Sequence, residues 1–541
     1  MMLARTVKRY VSLLTIMAAC IGACVCTDDV QAEPKYHKMV RTMLDTLIEK
    51  GRDHYGIKES PLFAANLSVK TLECLQEPKL YYTTGPRILG GRVKRRSPGG
   101  SNLYFDQATF KAMNLMSDLT GDPKYSKAIF DAIRFQLHHA VDSKGFPALG
   151  GHTYWDFYTD AIDWNKSEYH EFWCWPMAWN LWWQADPNKA REYVDLIWEW
   201  HVVNKKTGET NRHSDKKSGL AFTFMVGNFI SGWAEAAERT GDKKYKGYCE
   251  KIAEYHWAQR NLQTNLIPAT GTPPAITAPW EREDQTHFTT MVPIFAHHII
   301  TSGEQIDSDK MVKIGRALLD AYAKYGYDSE KGLFYCSLTL EGEPVQPHEQ
   351  RRKMLVTGQR NLPIGYLATW KPYVGYQELP LVTAQVYAWA AESVDKKYLM
   401  TAQRWAEVIE KAWAKRYGGY ENWFKYKEAL ENDPEVLKAY REEDYPYAAP
   451  YGLFADHYGR VIQFALTMHR LTGQKKWLEF AETVADTACS ELWKGHVFVG
   501  HVEKNDLYEN SDNVGILLYA LLQLQHSLDP GSRKKNISTF F

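Results

Sequence analysis

DHYGRVIQFALTMHRLTG, residues 456–473, decides the fold class. Val461, Phe464, Ala465 and Met468 fall at i, i+3, i+4 and i+7, which puts four apolar side chains on one face of an α-helix. Gly473 ends the stretch, and after it Trp477, Phe480, Ala481 and Val484 repeat the spacing. Two amphipathic helices joined by so short a turn form a hairpin whose apolar faces can meet.

The turn recurs. LTGDPKY covers 119–125, RTGDKKY 239–245, SVDKKY 393–398 and LTGQKKW 471–477, with ADPNKA at 185–190 as a weaker copy. Each has a small residue or glycine where one helix stops. A polar residue, most often Asp, then caps the next helix, whose first turn carries Lys and usually an aromatic. The intervals leave room for one or two hairpins between copies, so the expected fold is all-α with six to seven helical hairpins. An array of this kind is either an open solenoid or a closed (α/α) barrel or toroid. The toroid is expected, because the repeats are irregular and the segments between them are long and rich in Trp, Tyr, His and charge. Short β pieces interrupt the helical pattern, notably LFYCSLTLEGEPV, which opens 333–346 and alternates like a short hairpin. Residues 80–102 form a Gly/Pro-rich loop whose five cations, Arg87, Arg92, Lys94, Arg95 and Arg96, face no acid in the segment. Residues 264–286 are rich in Pro and Thr, and no composition shift marks a domain boundary.

The composition narrows the function classes. The 541 residues hold 65 Lys and Arg against 65 Asp and Glu, and the balance survives removal of residues 1–32. No global field steers the chain to nucleic acid or a membrane surface, so an anionic partner must be met by a local cluster. Aromatics are abundant, with 19 Trp, 33 Tyr and 21 Phe, which suits a large core or a cleft of flat rings for sugar faces. Arg5, Lys8 and Arg9 precede an apolar run from Val11 to Cys26, and Val30-Gln31-Ala32 fits a small-residue cleavage site. Residues 1–32 are therefore expected to be an export signal, the run being short for a membrane span. Ile21-Gly22-Ala23-Cys24 offers the alternative of a lipid anchor at Cys24. Residues 33–529 are then one domain and 530–541 a disordered tail. The five cysteines beyond the signal, Cys74, Cys174, Cys249, Cys336 and Cys489, are odd in number and widely spaced, and are expected to be mostly buried thiols.

The chemistry-bearing residues cluster between 150 and 215. GGHTYWDFYTD supplies His152, SEYHEFWCWP supplies His170 and Glu171, and TNRHSD supplies Arg212 and His213. All lie between helices and outside any clean apolar stripe. Two imidazoles and a carboxylate suit a divalent transition metal, since nitrogen donors disfavour calcium and magnesium. With 18 histidines in the chain, three beside polar loops are also what chance supplies. The pairs His138-His139 and His297-His298 sit on helical stretches as structural or surface residues.

Taken together, these pieces resemble the family 2 pectate lyases, polysaccharide lyases with an (α/α) barrel. The resemblance is carried by YGIKESPLFAANLSVKTLE (55–73), GGSNLYFDQATF with LTGDPKY (99–125) and GGHTYWD (150–156). It continues through the His-Glu pair 170–171, NRH (211–213), HWAQRN (256–261) and the C-terminal run 456–524. It implies an enzyme in which His152, Glu171 and His213 bind a divalent transition metal, manganese first and cobalt or nickel as alternatives. It further implies Arg212 as the catalytic base. The implied reaction is metal-assisted β-elimination of an acidic, uronate-containing polysaccharide of the pectate type, giving 4,5-unsaturated products. The chain is expected to act as an exported, periplasmic or secreted monomer without a transmembrane segment or a nucleic-acid partner. The segment 264–290 lies outside the resemblance, and Arg260, Lys331 and Arg360 are candidates for further substrate-binding cations.

A neutral guanidine is uncommon, because its pKa lies above about 12. Arg212 can instead clamp a carboxylate bidentately, with Lys331 or a tyrosine taking the proton. Asp156 or Asp160 can orient a ligating histidine or cap a helix. Trp155, Trp173 and Trp257 can stack on sugars or fill the core. Two rival functions remain at this stage. One is a glycoside or unsaturated-uronyl hydrolase using two carboxylates among Asp156, Asp160 and Glu171. The other is a glycan-binding solenoid without turnover.

Overall fold

The computed structural model describes residues 33–76, 97–151, 153–164, 169–172, 175–218, 221–269, 285–286, 289–335, 337–344, 380–414, 454–502 and 506–529. The expected export signal, the C-terminal tail, the cations of the basic loop and His152, Trp173, Cys174, Cys336 and Arg360 lie outside these residues.

Among the described residues fourteen α-helices alternate between two concentric layers. The inner helices are α2 (Gln107–Thr120), α4 (Trp179–Ala185), α6 (Thr223–Thr240), α8 (Met291–Gln305), α10 (Pro380–Ser393), α12 (Ala455–Thr472) and α14 (Val514–Leu528). The outer ones are α1 (Lys35–Glu49), α3 (Lys124–His138), α5 (Pro187–His201), α7 (Lys243–Ala258), α9 (Asp309–Tyr325), α11 (Leu399–Ala414) and α13 (Lys475–Leu492). Burial sorts them. On α9 the buried residues Met311, Ile314, Gly315, Leu318, Leu319 and Tyr322 form one stripe, as on a helix with a solvent face. On α14 nearly every residue from Val514 to Leu524 is buried, as a helix enclosed on all sides requires. Each fully buried Leu of α14 contributes about 2 kcal/mol.

The inner ring closes. Helices α4 to α14 pack in succession, and α14 packs back on α2. Gln107 of α2 completes the circuit by accepting from Ala178 N–H (2.9 Å) and from the Trp182 indole (3.1 Å) of α4. The outer seam is tied by Tyr36 on Asp486 (2.7 Å) and Tyr125 on Asp45 (2.8 Å). The fold is thus an (α/α) barrel of seven inner–outer pairs rather than a solenoid. Among the described residues no helix is long and apolar enough to cross a membrane.

The two ends of the barrel differ. Every inner-to-outer connection among the described residues is short, and all but the one at 306–308 are the recurring turns. Gly121, Gly241 and Gly473 take left-handed φ of 73°, 68° and 67° to stop their helices. Asp122, Asp186, Asp242 and Asp395 accept from backbone N–H groups at the start of the next element, a contribution of about 1 kcal/mol per cap. Every outer-to-inner connection is long, and the β-strands occupy these segments. One expectation changes. Residues 333–346 do not form a single hairpin: Leu333–Phe334 pairs with Tyr327–Asp328, and Leu338–Thr339 pairs with Gln285–Thr286. An isolated bridge, Leu338 to Pro344, and the Thr339 N–H donating to Glu343 O at 2.7 Å fold the end of that run on itself.

Candidate functional site

The motifs of 150–215 lie on two adjacent long connections, α3 to α4 and α5 to α6. Gly150 and Glu171 form a parallel bridge, and the Gly151 N–H donates to Glu171 O at 3.3 Å. The approach demands glycine. Gly150 has φ of 97°, and a Cβ there would sit 2.0 Å from Glu171 O. Asn102, fully buried, clamps the turn: its amide donates to Gly150 O (2.9 Å) and Thr153 O (3.2 Å), while its oxygen accepts from Gly150 N–H (3.1 Å). The segments carrying the GGH and HE motifs are therefore held side by side through their backbones.

The NRH motif follows a strand pair, Val202–Asn204 with Glu209–Thr210, that grows out of α5. Two of its side chains converge on Glu171, while the Asn211 amide donates to Asp215 at 2.7 Å. Arg212 Nε lies 3.5 Å from Glu171 Oε1, and His213 Nε2 lies 4.0 Å from that oxygen. Arg212 Nε–H donates to His213 Nε2 at 3.2 Å, so in this arrangement Nε2 carries a lone pair. The Glu171 side chain is 5% exposed, whereas those of Arg212 and His213 are 17% and 22% exposed, so the cluster has a dry floor and an open side. The Phe222 ring lies 5.8 Å from the Arg212 guanidinium, and Tyr169 stacks on His213 at 5.1 Å. Lys144 donates to Ser214 O at 2.9 Å.

The structure thus brings together Glu171, Arg212 and His213 from separated motifs. A carboxylate oxygen and an imidazole lone pair 4.0 Å apart are donors of the kind a divalent transition metal takes. Among the described residues no group of three His, Cys, Asp or Glu is assembled. His152, the remaining expected ligand, immediately follows Gly151 in the chain.

The neighbouring His170 turns the other way. Its Nδ1 lies 2.8 Å from His201 Nε2 and its Nε2 lies 2.7 Å from Tyr193 Oη. His201 Nδ1 in turn lies 2.9 Å from Asn211 O. Burial, reinforced by His201, holds His170 well below the usual imidazole range, and burial pushes His201 down to about 4. Nothing in the spacing of the sequence singled out His201, Tyr193 or Asn102. The only available signal was that His201 continues the buried stripe of α5 one turn beyond Ile197.

Other expected roles are taken up by structure. Asp156 accepts from the backbone of Tyr158 and Thr159, each at 2.9 Å, and closes its own turn. Asp160 accepts from Ile57 and Lys58 N–H at 2.9 and 3.1 Å. Trp155 is buried edge-on against Phe135, a core contact. Trp257 is half-buried beneath Arg260, whose guanidinium lies 4.2 Å from the ring and also donates to Trp257 O. Lys331 is exposed on a turn capped by Asp328. Cys74, Cys249 and Cys489 are buried free thiols, as expected.

Residues 92–229 match a family model described as periplasmic pectate lyase, so the match contains Asn102 and the GGH, HE and NRH motifs. Solved structures of similar course include an unsaturated glucuronyl hydrolase specific for heparin, at 12% identity and TM-score 0.45, covering 91% of this chain and 97% of that one. A D-mannose isomerase matches at 10% identity and TM-score 0.44 with the same coverages. A cellobiose 2-epimerase from Bacillus thermoamylovorans matches at 7% identity and TM-score 0.42, covering 91% of this chain and 99% of that one. At these scores the barrel assignment stands on the helix packing alone.

Proposed function

We propose, from the pectate lyase match over residues 92–229, that this enzyme is an exported polysaccharide lyase that cleaves a uronate polymer by β-elimination. The observation that carries the proposal is the convergence of Glu171, Arg212 and His213 within 3.2–4.0 Å of one another inside the matched segment. Glu171 and His213, with His152 as the third ligand implied by the resemblance, would hold a divalent transition metal, manganese in the first instance. When bound, such an ion supplies Lewis-acid withdrawal of charge from the substrate carboxylate, which makes the C5 hydrogen removable. Arg212 stands on the open side of the cluster, where its guanidinium meets the same carboxylate-bearing ring. In the base role it takes the C5 proton as the C4 oxygen leaves. In the clamp role it fixes the carboxylate by two parallel hydrogen bonds. The base role requires a neutral guanidine, and hence Glu171 engaged by a cation other than Arg212. The acidic substrate class, the monomeric state and a periplasmic or secreted location belong to the same proposal. The hydrolase alternative is disfavoured because two of its three carboxylates are engaged, Asp156 by its own turn and Asp160 by the Ile57 and Lys58 N–H groups.

The test is a panel of uronate polymers with metal-stripped and manganese-loaded protein, followed in the ultraviolet. Loaded protein is expected to generate the absorbance of a conjugated 4,5-unsaturated product and stripped protein to lose it. New reducing ends without that absorbance would establish hydrolysis and overturn the proposal. Arg212→Lys keeps a cation but loses the planar fork, and is expected to lower kcat at least ~100-fold in either role. Isothermal titration with manganese is expected to show weakened binding in Glu171→Gln and His213→Ala. Unchanged metal content in both would remove them as ligands.

A further inference from the structure

We infer that His170 and His201 are positioning residues that fix the Arg212–His213 loop through a chain of buried hydrogen bonds running from Tyr193 to Asn211. The inference rests on the proposed role of that loop.

The direction of the chain follows from one atom. Asn211 O is a carbonyl and can only accept, so His201 Nδ1, 2.9 Å away, carries the proton. A neutral His201 then presents a lone pair at Nε2. His170 Nδ1, 2.8 Å from it, must donate, which leaves His170 Nε2 as a lone pair accepting from Tyr193 Oη–H at 2.7 Å. Both rings are thus Nδ1–H tautomers, and every proton points from Tyr193 toward Asn211. Tyr193, His170 and His201 are all at most 1% exposed, so water does not compete for these bonds. Phe146 stacks on His170 at 4.4 Å and sets the plane of its ring.

The two histidines hold the loop at both of its ends, by the ring chain at Asn211 and by the His170 backbone at Ser214. Asn211 is gripped twice by His201, whose ring donates to Asn211 O and whose own carbonyl accepts from Asn211 N–H at 2.8 Å. Ser214 Oγ accepts from His170 N–H at 3.1 Å. Arg212 and His213 lie between these two anchors, and Glu171 follows His170 directly in the chain. One buried pair of histidines therefore holds the backbone on either side of the Arg212–His213 pair and the residue before Glu171. Displacement of a reacting group by about 1 Å costs on the order of 100-fold in rate. A device that fixes these backbones accordingly belongs to catalysis and not only to the core.

The test compares His201→Leu with His201→Asn. Leucine fills similar space without a donor. Asparagine places an amide nitrogen where the ring Nδ1 stood and can still donate to Asn211 O. His201→Leu is expected to lower kcat about 10–100-fold with KM within about twofold, and His201→Asn to recover most of the loss. Wild-type kcat in His201→Leu would overturn the inference. So would a loss in the asparagine variant equal to that in the leucine variant. Nitrogen-15 histidine spectra of the wild-type protein test the chain without mutation. Two exchange-protected Nδ1–H signals, absent from His170→Asn and His201→Asn respectively, are expected, and an Nε2–H tautomer at either residue overturns the proposed direction. Should the wild-type protein cleave no uronate polymer, the proposed function fails on its own. Amide exchange at 211–214 then still decides the positioning: faster exchange in His201→Leu supports it, and unchanged exchange overturns it.

Discussion

At the scale of residues, the site is a meeting of backbones before it is a meeting of side chains. Gly150 lets Glu171 O approach to where a Cβ would stand, and Asn102 fixes the turn from beneath. Gly150→Ala therefore adds both an unfavourable φ and a backbone collision. It is expected to cost about 2 kcal/mol or more, measured by urea unfolding, and to weaken manganese binding as the GGH and HE segments separate. An alanine variant of wild-type stability would show that the bridge contributes little. The motifs GGH, HE and NRH were legible as motifs, because each joins a chemistry-bearing side chain to a characteristic neighbour. The role of His170 was not legible. It sits beside Glu171 in the chain, yet successive residues in extended backbone point to opposite sides, and His170 enters the core while Glu171 joins Arg212.

At the scale of elements, the short turns set the order of the helices and the long connections carry Glu171, Arg212 and His213, the residues of the proposed site. The turn residues could be identified locally, since a helix stop needs only a glycine and a cap a carboxylate. Which helices lie inside was less evident, because inner helices carry buried polar residues whose partners come from neighbouring inner helices. Gln463 of α12 illustrates this. Its amide donates to Gln523 of α14 (3.0 Å), its oxygen accepts from Gln385 of α10 (2.7 Å), and Arg460 donates to Gln385 at 3.0 Å. Gln463→Leu strands buried polar groups on both neighbours and is expected to destabilise by about 2–4 kcal/mol in thermal or urea unfolding. The combined change of Gln463 and Gln523 to leucine removes both partners of their hydrogen bond and is expected to cost less than the single change, Gln385 being kept because the buried Arg460 donates to it. A single change without cost would show that the polar ladder does not hold the three helices together.

At the scale of the whole molecule, the barrel buries imidazoles in neutral form. Burial holds His201 and His298 at about 4 and His256 at about 3, against about 6.5 in the unfolded chain. The unfolded state therefore binds more protons below pH 6.5. The stability from these groups is complete above about pH 6.5 and is lost as pH falls through the folded values, at up to about 1.4 kcal/mol per pH unit for each group. Urea midpoints are expected to drop between pH 6.5 and 4.5. His256 is the cleanest probe, since neither ring nitrogen has a hydrogen-bond partner and the ring packs edge-on against Phe295 at 5.0 Å. His256→Phe is expected to flatten the profile while leaving stability at pH 7.5 equal or higher. A profile unchanged by that substitution would mean that His256 does not titrate on unfolding.

The sequence by itself determined what is local and periodic: the helices, their stops and caps, the all-α class and the three motifs that bear chemistry. These depend on residues within one or two turns of each other, where spacing alone fixes which side chains share a face. Only the tertiary structure decided the closure of seven inner helices into a ring, the gathering of the long connections at one end, and the division of labour between His170 and Glu171. Those features depend on contacts between residues tens to hundreds of positions apart. There the deciding terms are burial and the satisfaction of buried hydrogen bonds, and neither is a property of any short stretch of chain.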